Sequence, residues 1–252
     1  MTAKIKQRLS QGQLNQLTIC PPLFQRNYLE QLNLPTTPEQ LERLDWGSRF
    51  HLLMQQRELG LSIDAFAEAD REMGRSLHSL QTAAPDLFQS DNYSWREAEH
   101  QRTICFHDYL FTVIYDLLII TEEKAQIIDW KTYPLPEDSQ KLVNNWQTRL
   151  YLYVLAETSD YQPEDISLTY WFVKLPQKAQ SVSFKYSQSQ HQQTQQDLAQ
   201  LLSNLDQWLA TGDFPHRDDC QSSCPYYSSL VGDHKLLNPS QTIDEIPEIS
   251  LD

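Results

Sequence analysis

Apolar and polar positions divide most sharply in the middle of the chain. Tyr109 to Ile120 and Ala125 to Tyr133 are runs rich in Val, Ile, Leu, Phe and Tyr, separated by the short polar turn Thr121 to Lys124. That pattern predicts a β-hairpin. Trp95 to Asp108 alternates polar with apolar residues and predicts a strand ahead of it. Ile166 to Val173 and Ser181 to Tyr186 predict two more, with Lys174 to Gln180 as their turn. Helical spacing appears in Pro38 to Gly60, where Leu41, Leu44, Phe50, Leu53 and Met54 recur on one side. Residues 61–90 read as helical with a break at Ala84-Pro85, and Ser139 to Thr158 as one helix. Gln188 to Ala210 is a Gln-rich amphipathic helix whose polar side is a solvated face. This order predicts an α/β fold, a mixed β-sheet flanked by helices in a single domain. The chain divides into an N-terminal segment 1–36 with Cys20, a core 37–215, a cysteine loop 216–231 and a polar tail 232–252 expected to be disordered. No internal repeat is visible.

The acids inside the apolar hairpin carry the chemistry. Asp116 sits between Ile114-Tyr115 and Leu117-Leu118, and the second run ends in Asp129-Trp130-Lys131. At strand period two, Asp129 and Lys131 leave the same face. Charges within apolar strands are costly unless other charges sit with them. A divalent cation and a phosphate would meet that need, which suits metal-assisted cleavage of a phosphodiester. The hard carboxylate oxygens of Asp116 and Asp129 suit Mg²⁺ or Mn²⁺. Taken singly, each residue has a plainer reading. Asp129-x-Lys131 alone is more often a surface ion pair, and His51 a satisfied helix histidine. Gln147 and Tyr151 are ordinary helix residues, though four apart and so on one face. Glu97 and Glu99 read as solvated or supporting acids.

Composition narrows the class. The 252 residues exceed what one core needs and fall short of two comfortable domains. The start, Met1-Thr-Ala-Lys-Ile-Lys-Gln-Arg8, has no apolar stretch of the signal-peptide type, and the apolar runs are too short to span a bilayer. A cytoplasmic location with no membrane partner is expected. The net charge of −14 argues against a broad nucleic-acid surface. The tail does not explain it, since without Asp244, Glu245, Glu248 and Asp252 there are still 20 basic residues against 30 acidic ones. Any contact with nucleic acid must come from a local groove, for which Lys131 and Arg149, with Arg26 or Lys141, are the candidates. No G-x-x-x-x-G-K-[ST] motif is present, so duplex unwinding would need another protein.

Four motifs in order, with two flanking segments, give a specific resemblance. Gly47-Ser-Arg-Phe-His51, Asp116, Asp129-Trp130-Lys131-Thr132 and Gln147-Thr-Arg-Leu-Tyr151 lie between Leu17-Thr-Ile-Cys20-Pro21 and Gly212-Asp-Phe-Pro215 before Cys220 and Cys224-Pro225-Tyr226. The chain resembles the RecB-like branch of the PD-(D/E)XK nuclease superfamily from about Leu17 to Tyr227. That implies a restriction-endonuclease-like fold and a metal-dependent deoxyribonuclease, an exonuclease before an endonuclease, serving DNA repair, recombination or defence. It implies His51, Asp116, Asp129 and the Trp130 carbonyl as ligands of Mg²⁺ or Mn²⁺. Lys131 would stabilise charge on the phosphorane or position water, and Gln147 and Tyr151 would close over the phosphate backbone. The substrate implied is DNA, single-stranded or with free ends. A helicase, repair or CRISPR subunit is the implied partner. The rival reading is a catalytically degenerate subunit that keeps the fold for nucleic-acid binding or assembly.

The cysteines depart from that resemblance. Iron–sulfur members of the branch use one N-terminal and three C-terminal cysteines. Cys20, Cys220 and Cys224 match three, but the place of the last is Leu230, and Cys220 and Cys224 are one residue too far apart. The full four-thiolate iron–sulfur site is therefore incomplete, and the segment reads as a relic in which Cys20 meets the Cys220–Cys224 loop. His216, Asp218 or Asp219 are the alternatives for a fourth ligand. Cys105, in the strand beside the hairpin, is expected to be a buried thiol.

Overall fold

The computed structural model describes residues 5–32, 36–88, 93–138, 140–175 and 178–217. Its centre is β3 (Tyr109–Ile120), whose alternate residues Tyr109, Phe111, Val113, Tyr115 and Leu117 are buried. β2 (Trp95–Phe106) pairs antiparallel from Phe106 opposite Tyr109 to Trp95 opposite Ile120, with one interruption at Glu99. β4 (Ala125–Lys131) returns from the Thr121–Lys124 turn and pairs antiparallel with the second half of β3. β5 (Ile166–Phe172) lies parallel to β4, and β6 (Gln180–Lys185) antiparallel to β5. With β1 (Gln7–Leu9) beside β3, the sheet is mixed and has six strands. Helices flank it, which is the α/β architecture expected.

The helices are α1 (Gln11–Ile19), α2 (Pro21–Phe24), α3 (Pro38–Glu58), α4 (Asp64–Ala69), α5 (Arg71–Ala83), α6 (Gln140–Asn144), α7 (Trp146–Glu157) and α8 (Gln188–Thr211). The described residues group into two compact units, one of 5–8 and 37–194, the other drawn from 9–36 and 195–217. In the first, Thr37 and Gln40 form a capping box that starts α3, with Pro38 at its first position. Trp46, Phe50, Leu53 and Met54 of α3 pack with Met73, Leu77 and Leu80 of α5 onto Leu117, Ile128 and Trp130 of the sheet. α7 is buried over most of its surface, as a helix that is apolar all round must be. In the second unit, a Ser10–Gln13 capping box starts α1, and a π-helical turn, Gln25–Leu29, follows α2. Phe24 stacks on Phe214 at 6.3 Å, Phe214 meets Trp208 at 5.9 Å, and Cys20 is buried between α1 and α2.

Several expectations need correction. The single helix expected from Ser139 to Thr158 is two, because Asn145 leaves helical geometry and caps α7 by accepting from the Gln147 amide at 2.8 Å. Leu41, expected on the buried side of α3, is 55% exposed, and Trp46 occupies the core instead. Cys105 is exposed, its thiol donating to the His107 carbonyl, because it falls on the solvent side of an alternating strand. β1 was not foreseen. Cys220, Cys224 and the acids beside them lie outside the described residues, as does the tail.

Candidate active site

Four elements of the first unit, α3, β2, β3 and β4, bring the site's acids and histidine together, and α7 adds Gln147 and Tyr151. α3 approaches β4 closely at Gly47, where a Cβ would stand 2.9 Å from Thr132 Oγ1. Only glycine allows that approach without a shift. One turn later, His51 Nδ1 lies 3.1 Å from Asp116 Oδ1. The other carboxylate oxygen of Asp116 accepts the Trp130 amide at 2.6 Å. The position of Asp116 is thus fixed from both sides.

Glu99 completes a triplet with these two. One ligand atom each from His51, Glu99 and Asp116 lies within 4.8 Å of the others. Glu99 and Asp116 are also where the β2–β3 ladder breaks. The pairs Ala98–Leu117 and His100–Tyr115 are formed, and the pair between them is not. Glu99 has φ 53°, the left-handed region that side chains seldom adopt. The kink sends neighbouring positions to different layers. Leu117 joins the α3 cluster, whereas Tyr115 donates from its hydroxyl to the Tyr151 carbonyl of α7 at 3.0 Å. Residues 115 and 117 would share a face of a regular strand.

The electrostatics of the triplet favour a cation. Burial pushes the Glu99 carboxyl up to about 7, the nearby charge of Asp116 adds to the rise, and His51 opposes it. Burial works against the His51 imidazolium, but the charge and hydrogen bond of Asp116 outweigh it and lift His51 to about 9. Two carboxylates crowded together in a partly desolvated place repel. An imidazole and two carboxylates form a donor set that suits Mn²⁺ or Mg²⁺. The strained backbone at Glu99 points the same way, since such strain gathers at functional sites.

Asp129, Lys131, Gln147 and Tyr151 form a second, linked group. Lys131 is 7% exposed and Asp129 2%. Lys131 Nζ donates to Gln147 Oε1 at 2.6 Å and lies 2.9 Å from Asp129 Oδ2. Gln147 Nε2 donates to Asp129 Oδ1 at 3.1 Å and is 3.4 Å from the Tyr151 hydroxyl. The Lys131 ammonium also stands 4.6 Å over the Tyr170 ring. Burial raises the pKa of Asp129, Lys131 pulls it back, and Asp116 pushes it up again. Asp129 stands outside the triplet; its Oδ1 accepts from Gln147, while its buried Oδ2 faces the Lys131 ammonium at 2.9 Å without a hydrogen bond of good geometry among the described residues. Trp130 meets the site through its amide.

The reading of Glu99 as a solvated or supporting acid left out its place beside Asp116, though the signal was present. A two-residue turn at His107-Asp108 sets the register of the hairpin β2–β3, and that register places Glu99 opposite Asp116. Glu97, by contrast, is exposed and paired with His100. Arg149 stacks on Trp146 at 4.4 Å and reaches Gln193 and Thr194 of α8. Lys141 is exposed.

The fold has a solved counterpart. A protein of Eubacterium rectale named "Putative exonuclease" shares it at a TM-score of 0.51 and 9% identity, over 92% of this chain and 89% of that one. A second protein, SSO0001, aligns at a TM-score of 0.37 and 14% identity over 90% of this chain and 85% of its own. No curated protein sequence matches the chain. The profile of one family matches residues 8–229 and so takes in His51, Glu99, Asp116, Asp129, Lys131, Gln147 and Tyr151. The chain belongs to the PD-(D/E)XK nuclease superfamily.

Proposed function

We propose that this protein is a divalent-metal-dependent deoxyribonuclease of the RecB-like branch. It hydrolyses DNA phosphodiesters, acting on single strands or free ends in repair, recombination or defence. The observation that carries the reading is the convergence of His51, Glu99 and Asp116 beside the Lys131–Gln147–Asp129 network. His51, Glu99 and Asp116 would hold a Mg²⁺ or Mn²⁺ ion, with Asp129 or the Trp130 carbonyl as a further donor, and the ion would supply positive charge to the phosphate and acidify water. Lys131 supports the negative charge that develops on the phosphoryl oxygens. Gln147 holds the Lys131 ammonium in place and donates to Asp129 Oδ1. Tyr151 fixes the Gln147 amide from the next turn of α7. The buried, fully engaged Lys131 favours catalysis over the degenerate-subunit reading, because a binding platform would leave its cations at the surface.

The test is cleavage of linear and circular DNA, single- and double-stranded, and of RNA, with Mg²⁺ or Mn²⁺. Cleavage confined to linear DNA and abolished by chelator is the expected result. Cleavage unaffected by chelator would remove the metal, and cutting of circles would replace the exonuclease reading with an endonuclease.

A further inference from the structure

A second contact ties α3 to β2, away from the reacting groups. Arg57 and Glu58 end α3, and Arg96 lies near the start of β2. Arg96 Nη2 is 2.6 Å from Glu58 Oε1, and Arg57 Nη1 pairs with the same oxygen. Arg96 and Glu58 are each only 10% exposed. Arg96 also donates to the Leu87 carbonyl at 3.1 Å and faces the Tyr93 ring at 5.0 Å. Arg57 donates to the Phe88 carbonyl at 3.2 Å and covers the Phe88 ring at 4.2 Å.

The spacing of this cluster matches that of the site. Glu58 follows His51 by two helical turns, so both leave one face of α3, about 10 Å apart. Arg96 precedes Glu99 by three strand residues, again about 10 Å. His51 with Glu99, and Glu58 with Arg96, are therefore two parallel rungs between the same two elements. In a regular strand, residues 96 and 99 would face opposite ways. The left-handed backbone at Glu99 lets both turn towards α3. That backbone is strained, and the ladder to β3 is broken at this position, so something else must hold Glu99 in place. A buried ion pair adds little stability over an apolar pair of the same shape. What this one adds is registry.

We propose that Arg96 and Glu58 are positioning residues that hold Glu99 in reach of the metal. The proposal rests on the metal reading of the His51–Glu99–Asp116 triplet. A double-mutant cycle of Arg96→Met and Glu99→Gln tests it, with Mn²⁺ affinity read by calorimetry and metal-free thermal unfolding measured in parallel. Outer contacts that orient a ligand are worth about 10- to 100-fold in metal affinity. Arg96→Met is expected to weaken Mn²⁺ binding at least about tenfold in a folded protein. The double variant is expected to bind no more weakly than Glu99→Gln alone, since the clamp acts only through Glu99. A merely structural cluster would move the unfolding temperature and leave the cycle additive. Full additivity, or wild-type affinity in Arg96→Met, overturns the proposal. Unchanged affinity in Glu99→Gln overturns the metal reading itself and this inference with it. If Arg96→Met does not fold, Arg96→Lys replaces it in the cycle. Lysine keeps the charge against Glu58 without the fork that also reaches Leu87, and the same outcomes decide.

Discussion

Glu99 carries two burdens in the metal-free protein, a left-handed backbone and a neighbouring carboxylate. Asparagine tolerates that backbone better and brings no charge. Glu99→Asn should leave the metal-free fold as stable as the wild type or about 0.5–1 kcal/mol more so. The same change should weaken Mn²⁺ binding strongly, leaving only the His51 and Asp116 donors of the triplet. Chemical denaturation in chelator and calorimetry with Mn²⁺ separate the two effects, and a large loss of stability would mean that Glu99 holds the fold instead. His51, lifted to about 9, stabilises the metal-free fold below its ordinary pKa and loses that contribution as pH rises towards about 9. Glu99, held up at about 7, ionises at a cost to the fold between the usual carboxylate range and about 7. Both slopes run the same way. Metal-free stability should fall from about pH 5 to about pH 9, while Mn²⁺ affinity climbs as both ligands lose their protons. Thermal unfolding in chelator across that range checks the first, and a His51→Gln/Glu99→Gln double variant should flatten the curve.

At the scale of elements, α3 meets the residue just past β4, Thr132, where a side chain on residue 47 has no room. Gly47→Ala should cost about 1–3 kcal/mol through overpacking against Thr132 and should lower Mn²⁺ affinity by shifting His51. Adding Thr132→Ala removes the hydroxyl at 2.9 Å and should recover most of both losses. Additive losses in the pair would place the role of Gly47 elsewhere. The hairpin β3–β4 and the helices α3 and α8 were legible in the chain, because their apolar runs are long and bounded by turns or caps. Asp116, Asp129, Lys131 and Gln147 were legible through spacing and resemblance. Three features were not. Asn145 splits a helix because a short polar side chain caps better than it propagates, and apolar periodicity hides that. β1 is three residues long and has no period to read. Glu99 sits on the polar side of an alternating strand; the hairpin register places it opposite Asp116, but its polar neighbours Glu97 and Gln101 give it the look of a solvated acid.

At the scale of the whole molecule, the net charge of −14 limits how the protein can hold a polyanion. Among the described residues, Lys131 and Arg149, two of the cations that could meet DNA, are already engaged with protein partners. DNA binding should therefore weaken with salt on a shallow slope, about one counterion released per phosphate neutralised and few phosphates in all. Lys4 and Lys235 are the only lysines or arginines outside them, so a steep slope would mean that further cations among the described residues line the DNA path. No helix among those residues is long and apolar enough to cross a membrane. The most direct test of the central claim is single-turnover cleavage of end-labelled DNA by Lys131→Ala, with Mn²⁺ affinity measured on the same sample. Loss of one charge-stabilising donor should slow cleavage by about 10²- to 10³-fold and leave Mn²⁺ binding at the His51–Glu99–Asp116 triplet intact. Cleavage at the wild-type rate would contradict the account.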